Sequence, residues 1–222
     1  MDKFRITAKN KVKRAPSRGN YQQATIYQIL DQSLVAHVGF VVDDQPFVIP
    51  MSFGRKGDQI YLHGANTSRL IKNIKGGIPV CLTVTQLDGI VLARSAFHHS
   101  MNYQSVVIFG TALEIDTEPK KVEALKIISE HILPGRWDAV RKPNRKELKA
   151  TSVLQMKIEQ ASAKLREGPP IDEKNDYELP VWAGVIPIKQ QLQQPIADPK
   201  LSSGLEPGSE IASIFENQNE AK

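Results

Sequence analysis

Hydrophobic and polar positions alternate along most of the first two thirds of this chain, in short runs broken by Gly, Pro, Asp or Asn. A first helix is predicted over Tyr21–Gln32, where Ile26, Ile29 and Leu30 share one face. Leu34–Val42 and Pro46–Phe53 read as strands, and the Asp43-Asp44-Gln45 link between them predicts a hairpin. Gly54–Asp58 reads as a second turn, because Gly57-Asp58 supplies positive φ and a side-chain hydrogen bond. Gln59–His63 is a third strand. A short helix over Ser68–Ile74 follows, closed by Gly76-Gly77 where a helix end favours glycine.

Further on, Pro79–Thr85 with Ile90–Ala93, and then Tyr103–Ile115, are longer strands around a histidine-containing loop, Phe97–Asn102. Lys120–Leu133 is an amphipathic helix carrying Val122, Leu125, Ile128 and Ile132 at helical spacing. A helix over Arg145–Thr151 behind the cap residue Asn144, and a strand over Val153–Ile158, complete the pattern. Short strands joined by tight turns, with no long βαβ crossover, predict a mainly β, antiparallel barrel with flanking helices. From Gln190 the composition turns to Gln, Pro, Ser, Glu and Asn. Residues 1–20 are therefore read as a basic irregular arm, 21–189 as the barrel domain, and 190–222 as a polar, mobile tail.

Composition narrows the function. The chain has 222 residues, 41% hydrophobic and 24% charged, as expected of a globular protein. No apolar run approaches the roughly 18 residues that span a bilayer, and the charged N-terminus has no secretory core, so no membrane partner is expected. The lone Cys81 cannot form an internal disulfide, which fits a cytoplasmic setting. Net charge is +5, and seven basic residues against Asp2 alone put +6 on the first 20. Without interleaved aromatics or a helix-turn-helix, this arm does not call for nucleic acid.

The chemistry centres on Asn66-Thr67-Ser68-Arg69-Leu70-Ile71-Lys72. Asn66, Thr67 or Ser68 can cap a helix, and the first-turn amides behind the cap are unpaired at the positive end of its dipole. Arg69 and Lys72 stand at i and i+3 on one face, where a phosphomonoester would meet a guanidinium fork. An ordinary capped surface helix has the same pattern, so this signal alone is weak. Neither a nucleotide P-loop nor a dinucleotide fingerprint is present, so a mononucleotide held by side chains is the expected cofactor. His63 opens this turn beside Gly64, which permits close backbone approach. His37 lies mid-strand and reads as a core or interface histidine. His98 and His99 are adjacent and would face opposite ways on a strand, so no metal site is predicted. Trp137 reads as packing, and Trp182 as either an anchor or a stacking wall.

The order PFVIPMSFG, IYLHGANTSRL, PVCLTVT and AFHHSMNYQSVVIFGTA resembles flavin-nucleotide-binding proteins related to pyridoxamine 5'-phosphate oxidase, in particular the branch with nitroimidazole-resistance proteins. The resemblance runs from Arg14 to Ile188 and includes REGPPIDEKNDYELPVWAGVIPI. It implies a six-stranded antiparallel split β-barrel that forms a homodimer, with FMN at each end of the interface. Ile49, Pro50, Met51 and Ser52 would then line the isoalloxazine edge, with His63 at the strand end. Ser68 and Arg69, with Lys72 behind them, would hold the phosphate. Tyr103, Gln104 and Ser105 would close the pocket, with Thr83 and Thr85 reaching it and Trp182 as an aromatic wall. Leu70 stands where many relatives carry lysine, and the arginine-rich strand of the true oxidases is replaced by FVIPMSF. The implication therefore extends to a flavoprotein, and to an FMN-dependent oxidoreductase of small aromatic or nitro compounds, but not to the vitamin oxidase reaction. A flavin carrier without turnover, and a haem-handling split-barrel protein using His98 or His99, are the alternatives. No catalytic side chain is assigned, because the flavin itself performs the transfer.

Overall fold

The computed structural model describes residues 2–74 and 76–220. Met1 of the basic arm, Lys75 behind the cationic helix, and Ala221 and Lys222 of the tail lie outside the described residues. Strand β1 is Gly19–Asn20, β2 Val35–Val42, β3 Gln45–Lys56, β4 Gln59–Ala65, β5 Gly76–Leu92, β6 Ser100–Glu114, β7 Thr151–Lys157, β8 Gln160–Arg166 and β9 Gly184–Pro187. Helices are α1 Gln23–Asp31, α2 Arg69–Ile74, α3 Glu118–Ile132, α4 Arg136–Ala139, α5 Arg145–Ala150 and α6 Ser209–Glu220.

The pairings close a ring. β6 pairs with β7, β7 with β4, β4 with β3, β3 with β2, β2 with β5, and β5 with β6, all antiparallel. These six strands form the barrel. β8 continues the sheet outward from β6 with β1 beside it, and β9 adds to the far part of β5. Closure removes most of the exposed edges that an open sheet would present.

Period-two patterning explains the inside and outside of this ring. On β2, Ala36, Val38 and Phe40 are buried while Val35, His37 and Val41 are exposed. Those buried side chains meet Phe53, Ile60, Leu62, Leu82, Val84, Val106, Ile108, Leu154 and Met156 in one core. α1 closes one end through Ile26, Ile29 and Leu30, as its spacing predicts. The β2–β3 hairpin turns on Asp43 and Asp44, at φ 48° and 61°, a two-residue link that aspartate tolerates. α3 lies against β3: His131 Nε2 is 2.8 Å from the Ser33 carbonyl, and its ring centre is 4.6 Å from that of Phe53. Trp137 is buried, as a packing residue should be.

Several elements depart from the sequence reading. β3 runs on to Lys56, so the turn is confined to Gly57-Asp58, because Gly54 and Arg55 still pair with Tyr61 and Ile60. The runs 79–85 and 90–93 are one strand, β5, bent by an irregularity between Leu87 and Gly89. β8 (QASAKLR) escaped notice because its buried positions are Ala161, Ser162, Ala163 and Arg166, which carry little hydrophobic signal. The polar tail carries α6, tied to α4 by an ion pair of 2.8 Å between Arg136 and Glu210.

Candidate functional site

The site begins where two strands part. β3 and β4 pair only from Phe53↔Leu62 to Lys56↔Gln59. Beyond that point β4 keeps its other partner β7 through Ala65, while β3 pairs only with β2 through residues 45–52. The edge of β3 facing β4 is thus without a strand partner along Gln45–Ser52. Ser52 and His63 flank the opening.

α2 is seated over this opening. Its Leu70 and Ile71 are buried in the core, which fixes which face points outward. Gly64 makes the close approach possible: a Cβ there would lie 3.1 Å from Ile71 Cγ1. Of the three expected caps, Ser68 does the capping, its Oγ accepting the Ile71 N–H at 3.3 Å. Asn66 instead ties the turn to α5, donating Nδ2 to the Lys149 carbonyl at 2.6 Å and accepting the Ser152 hydroxyl at 2.8 Å. Arg69 and Lys72 remain on the exposed side, and among the described residues no carboxylate pairs with either. The Arg69 guanidinium carbon is 5.1 Å from the Phe47 ring centre, and Phe47 is itself stacked on Phe40 at 5.6 Å. A ring beneath a guanidinium orients it while leaving its N–H groups free. Phe47 carried no signal in the sequence, since the contact spans 22 residues and two strands.

His63 stands out electrostatically. Its Nδ1 is buried and has no hydrogen-bond partner. Burial pushes the imidazole below the ordinary histidine value, so it is neutral near pH 7. A buried ring nitrogen with no partner is costly, and a bound group that hydrogen-bonds to it would relieve that cost.

The remaining expected residues divide. Pro50 and Ser52 face outward, in register with His37 and Val35, whereas Ile49 and Met51 pack against the core. Ile49 and Met51 therefore could meet a ligand only through their backbone. Thr83, next to His37 in the sheet, and Thr85, next to Ser105, lie on the same outer face. Their surroundings are partly engaged: Thr83 Oγ1 donates to the Val106 carbonyl at 2.9 Å, and Ser105 Oγ to that of Lys164 at 3.3 Å. Tyr103 shares the outer face with Ser105. Gln104 alternates to the opposite face and donates to Asp88 at 3.3 Å. The row Pro50–His37–Thr83–Val107 crosses three strand spacings, roughly 14 Å, which separates the outer face of β6 from Pro50 on β3 within one chain. Trp182 is 66% exposed and leads into β9, away from both groups.

Two histidines outside this cluster have defined settings. His99 Nδ1 accepts the Ala93 N–H at 3.0 Å, and His98 Nε2 is 3.9 Å from Glu173. Of the two readings of His37, core or interface, the first does not hold, since His37 is exposed. It lines a hollow of about 520 Å³ with Leu34, Val35, Thr85, Ile132 and Leu192. Burial raises the Cys81 thiol above its ordinary value, which makes it an inert, half-buried hydrophobe. No described helix is long and apolar enough to cross a membrane.

A six-stranded barrel split between two strands, with a basic helix over the split, defines a class. Residues 22–165 match the family model described as pyridoxamine 5'-phosphate oxidase, and the chain belongs to that family. Among solved structures it is similar to the flavocytochrome Anf3 of Azotobacter vinelandii, at 40% identity over 93% of this chain and 96% of that one, with a TM-score of 0.88. It is also similar to a FAD- and haem-binding protein of Mycobacterium smegmatis, at 33% identity over 89% and 97% of the two chains, TM-score 0.85. A protein described as a candidate 5-nitroimidazole antibiotic resistance protein, from Bacteroides thetaiotaomicron, shares the fold at 24% identity over 66% and 85%, TM-score 0.57. Among curated proteins none matches.

Proposed function

We propose that this chain is a redox flavoprotein that holds a flavin nucleotide at the β3–β4 split. The observations that carry the reading are two exposed cations, Arg69 and Lys72, that no carboxylate pairs with among the described residues, on the helix that follows β4, and the orphaned Nδ1 of His63 near the end of that strand. Arg69 and Lys72 would neutralise the phosphate next to the ribityl chain, and Ser68 would add a hydroxyl donor while still capping α2. His63 would hydrogen-bond to the ribityl or phosphate oxygens. The free edge of β3 at Pro50–Ser52 would offer backbone groups to the ring system. When bound, the flavin supplies hydride or electron transfer; the protein orients it and keeps water from its face. That phosphate is common to FMN, expected from the sequence, and to FAD, which the Mycobacterium smegmatis relative favours.

A homodimer suits the arrangement. Leu34, Val35, Val41 and Val48 are 45–65% exposed on one outer face, which calls for a cover. A second copy on that face would bring its own Tyr103 and Ser105 toward the split that one chain leaves open. The lone cysteine suits a cytoplasmic enzyme, with a small aromatic or nitro compound as acceptor.

Haem is the second reading, favoured by the two relatives above 30% identity. His37 would be its ligand rather than His98 or His99, because it is exposed on the outer face of β2 and lines a hollow of mixed polar and apolar walls. Extraction of the chromophore from purified protein tests both readings. Released FMN or FAD supports the first and a Soret band lost in His37→Ala supports the second. Colourless protein that takes up neither group sinks both.

A further inference from the structure

A second hollow lies on the other side of the sheet order, where β1, β8 and the start of β6 meet. Arg166, at the end of β8, is 7% exposed. Its Nη1 donates to Asn102 Oδ1 and, at 3.4 Å, to the Gly168 carbonyl; its Nη2 donates to the Pro169 carbonyl at 3.2 Å. All three acceptors are neutral. Its Nε is buried with no partner. A guanidinium this deep is normally met by a carboxylate. Burial, and after it the charge of Arg18, another cation, push the Arg166 guanidinium below its ordinary value. Asp88 and Glu167 also line this hollow, but neither pairs with Arg18 or Arg166, and Asp88 accepts from Gln104.

Both arginines line a hollow of about 560 Å³, with Asn20, Tyr103 and Ile171 among its other walls. Two cations facing one cavity repel each other, and the unsatisfied Nε adds a desolvation cost. A bound oxyanion removes both penalties at once. The volume exceeds what a lone phosphate needs, and Tyr103, Leu165 and Ile171 offer surface for an attached organic body. We propose that this hollow is a second anion-binding site, in which Arg18 and Arg166 together hold the phosphate or diphosphate of a small organic ligand.

The hollow shares no residue with the Arg69 cluster of its own chain, but its Tyr103 is the residue that the dimer reading brings to a partner's split, so the test also follows the bound chromophore. Pyrophosphate and ADP are titrated calorimetrically into the full chain as purified. The expected result is saturable binding of both, tighter for ADP, weakened at least tenfold in Arg18→Gln and unchanged in Lys146→Gln, a surface control. Equal affinity for the two probes would make the bare anion the ligand and still support the site. Arg18 lies in a half-exposed segment before β1, and a thermal melt verifies that its variant is folded. Absence of binding, or binding that Arg18→Gln leaves intact, overturns the proposal. So does loss of a bound chromophore from Arg18→Gln, because the hollow would then be part of the cofactor site.

Discussion

Ser52 and His63 are the first residues beyond the last β3–β4 pair, Phe53↔Leu62, and from them the two strands diverge. Everything assigned to the site follows from that divergence. Had pairing continued, β3 would offer no free edge, and α2 would have no opening to cover. The divergence also leaves His63 with a buried nitrogen that the protein itself does not satisfy.

Replacing His63 should therefore separate stability from binding. His63→Leu removes the orphaned Nδ1, and the ligand-free protein should gain roughly 1 kcal/mol. Flavin affinity should fall in the same variant. Denaturant unfolding of the flavin-free form, alongside flavin titration, reads the two effects. A loss of stability together with unchanged affinity would show that His63 is only structural.

The pH dependence of His63 has a definite sign. Its folded-state value lies below 6.5, so the unfolded chain takes up the proton first. This residue adds nothing to pH dependence well above 6.5. As pH falls below 6.5, the wild type should lose stability relative to His63→Leu, measured by thermal melts from pH 8 down to 5.

α3 is held to β3 by a contact that tolerates no side chain. A Cβ on Gly54 would lie 2.8 Å from the Ile128 Cα and 2.9 Å from the Ile127 carbonyl oxygen. Backbone cannot move aside as a flexible side chain can. Gly54→Ala should cost about 1–3 kcal/mol through overpacking, seen as a lowered denaturation midpoint without a change in slope.

α5 carries a capping box. Asn144 Oδ1 accepts the Glu147 N–H at 3.0 Å, and Glu147 Oε2 accepts that of Asn144 at 2.8 Å. Asn144→Ala should cost about 1 kcal/mol. Glu147 also meets Arg141, and these contacts hold its carboxyl at about 2 against an ordinary 4.5. Its contribution is complete above pH 4.5 and is lost as pH falls toward 2. Glu147→Gln should flatten that part of the acid denaturation curve.

The barrel was legible because its strands alternate strongly and are joined by turn residues with clear chemistry. Asp43-Asp44 and Gly57-Asp58 place two corners of the ring directly from sequence. β8 and β9 were not legible: the first buries Ala and Ser, and the second is four residues long. The cap at Ser68 and the shared exposed side of Arg69 and Lys72 were legible because capping and charge spacing are local properties. Phe47 beneath Arg69, the inward turn of Gln104, and the pairing of Arg18 with Arg166 around one hollow depend on register between distant strands. A slip of one residue would reverse each of them, so sequence pattern alone leaves them open.

The central claim is that Arg69 grips a flavin phosphate at the split. It is tested most directly by titrating flavin-stripped wild-type protein and Arg69→Ala with FMN and FAD, following the quenching of flavin fluorescence. Loss of one charge-assisted hydrogen-bonding group predicts affinity weaker by about 1–3 kcal/mol, roughly five- to 150-fold, with Arg69→Lys in between. Wild-type affinity in Arg69→Ala, for both flavins, would contradict the account.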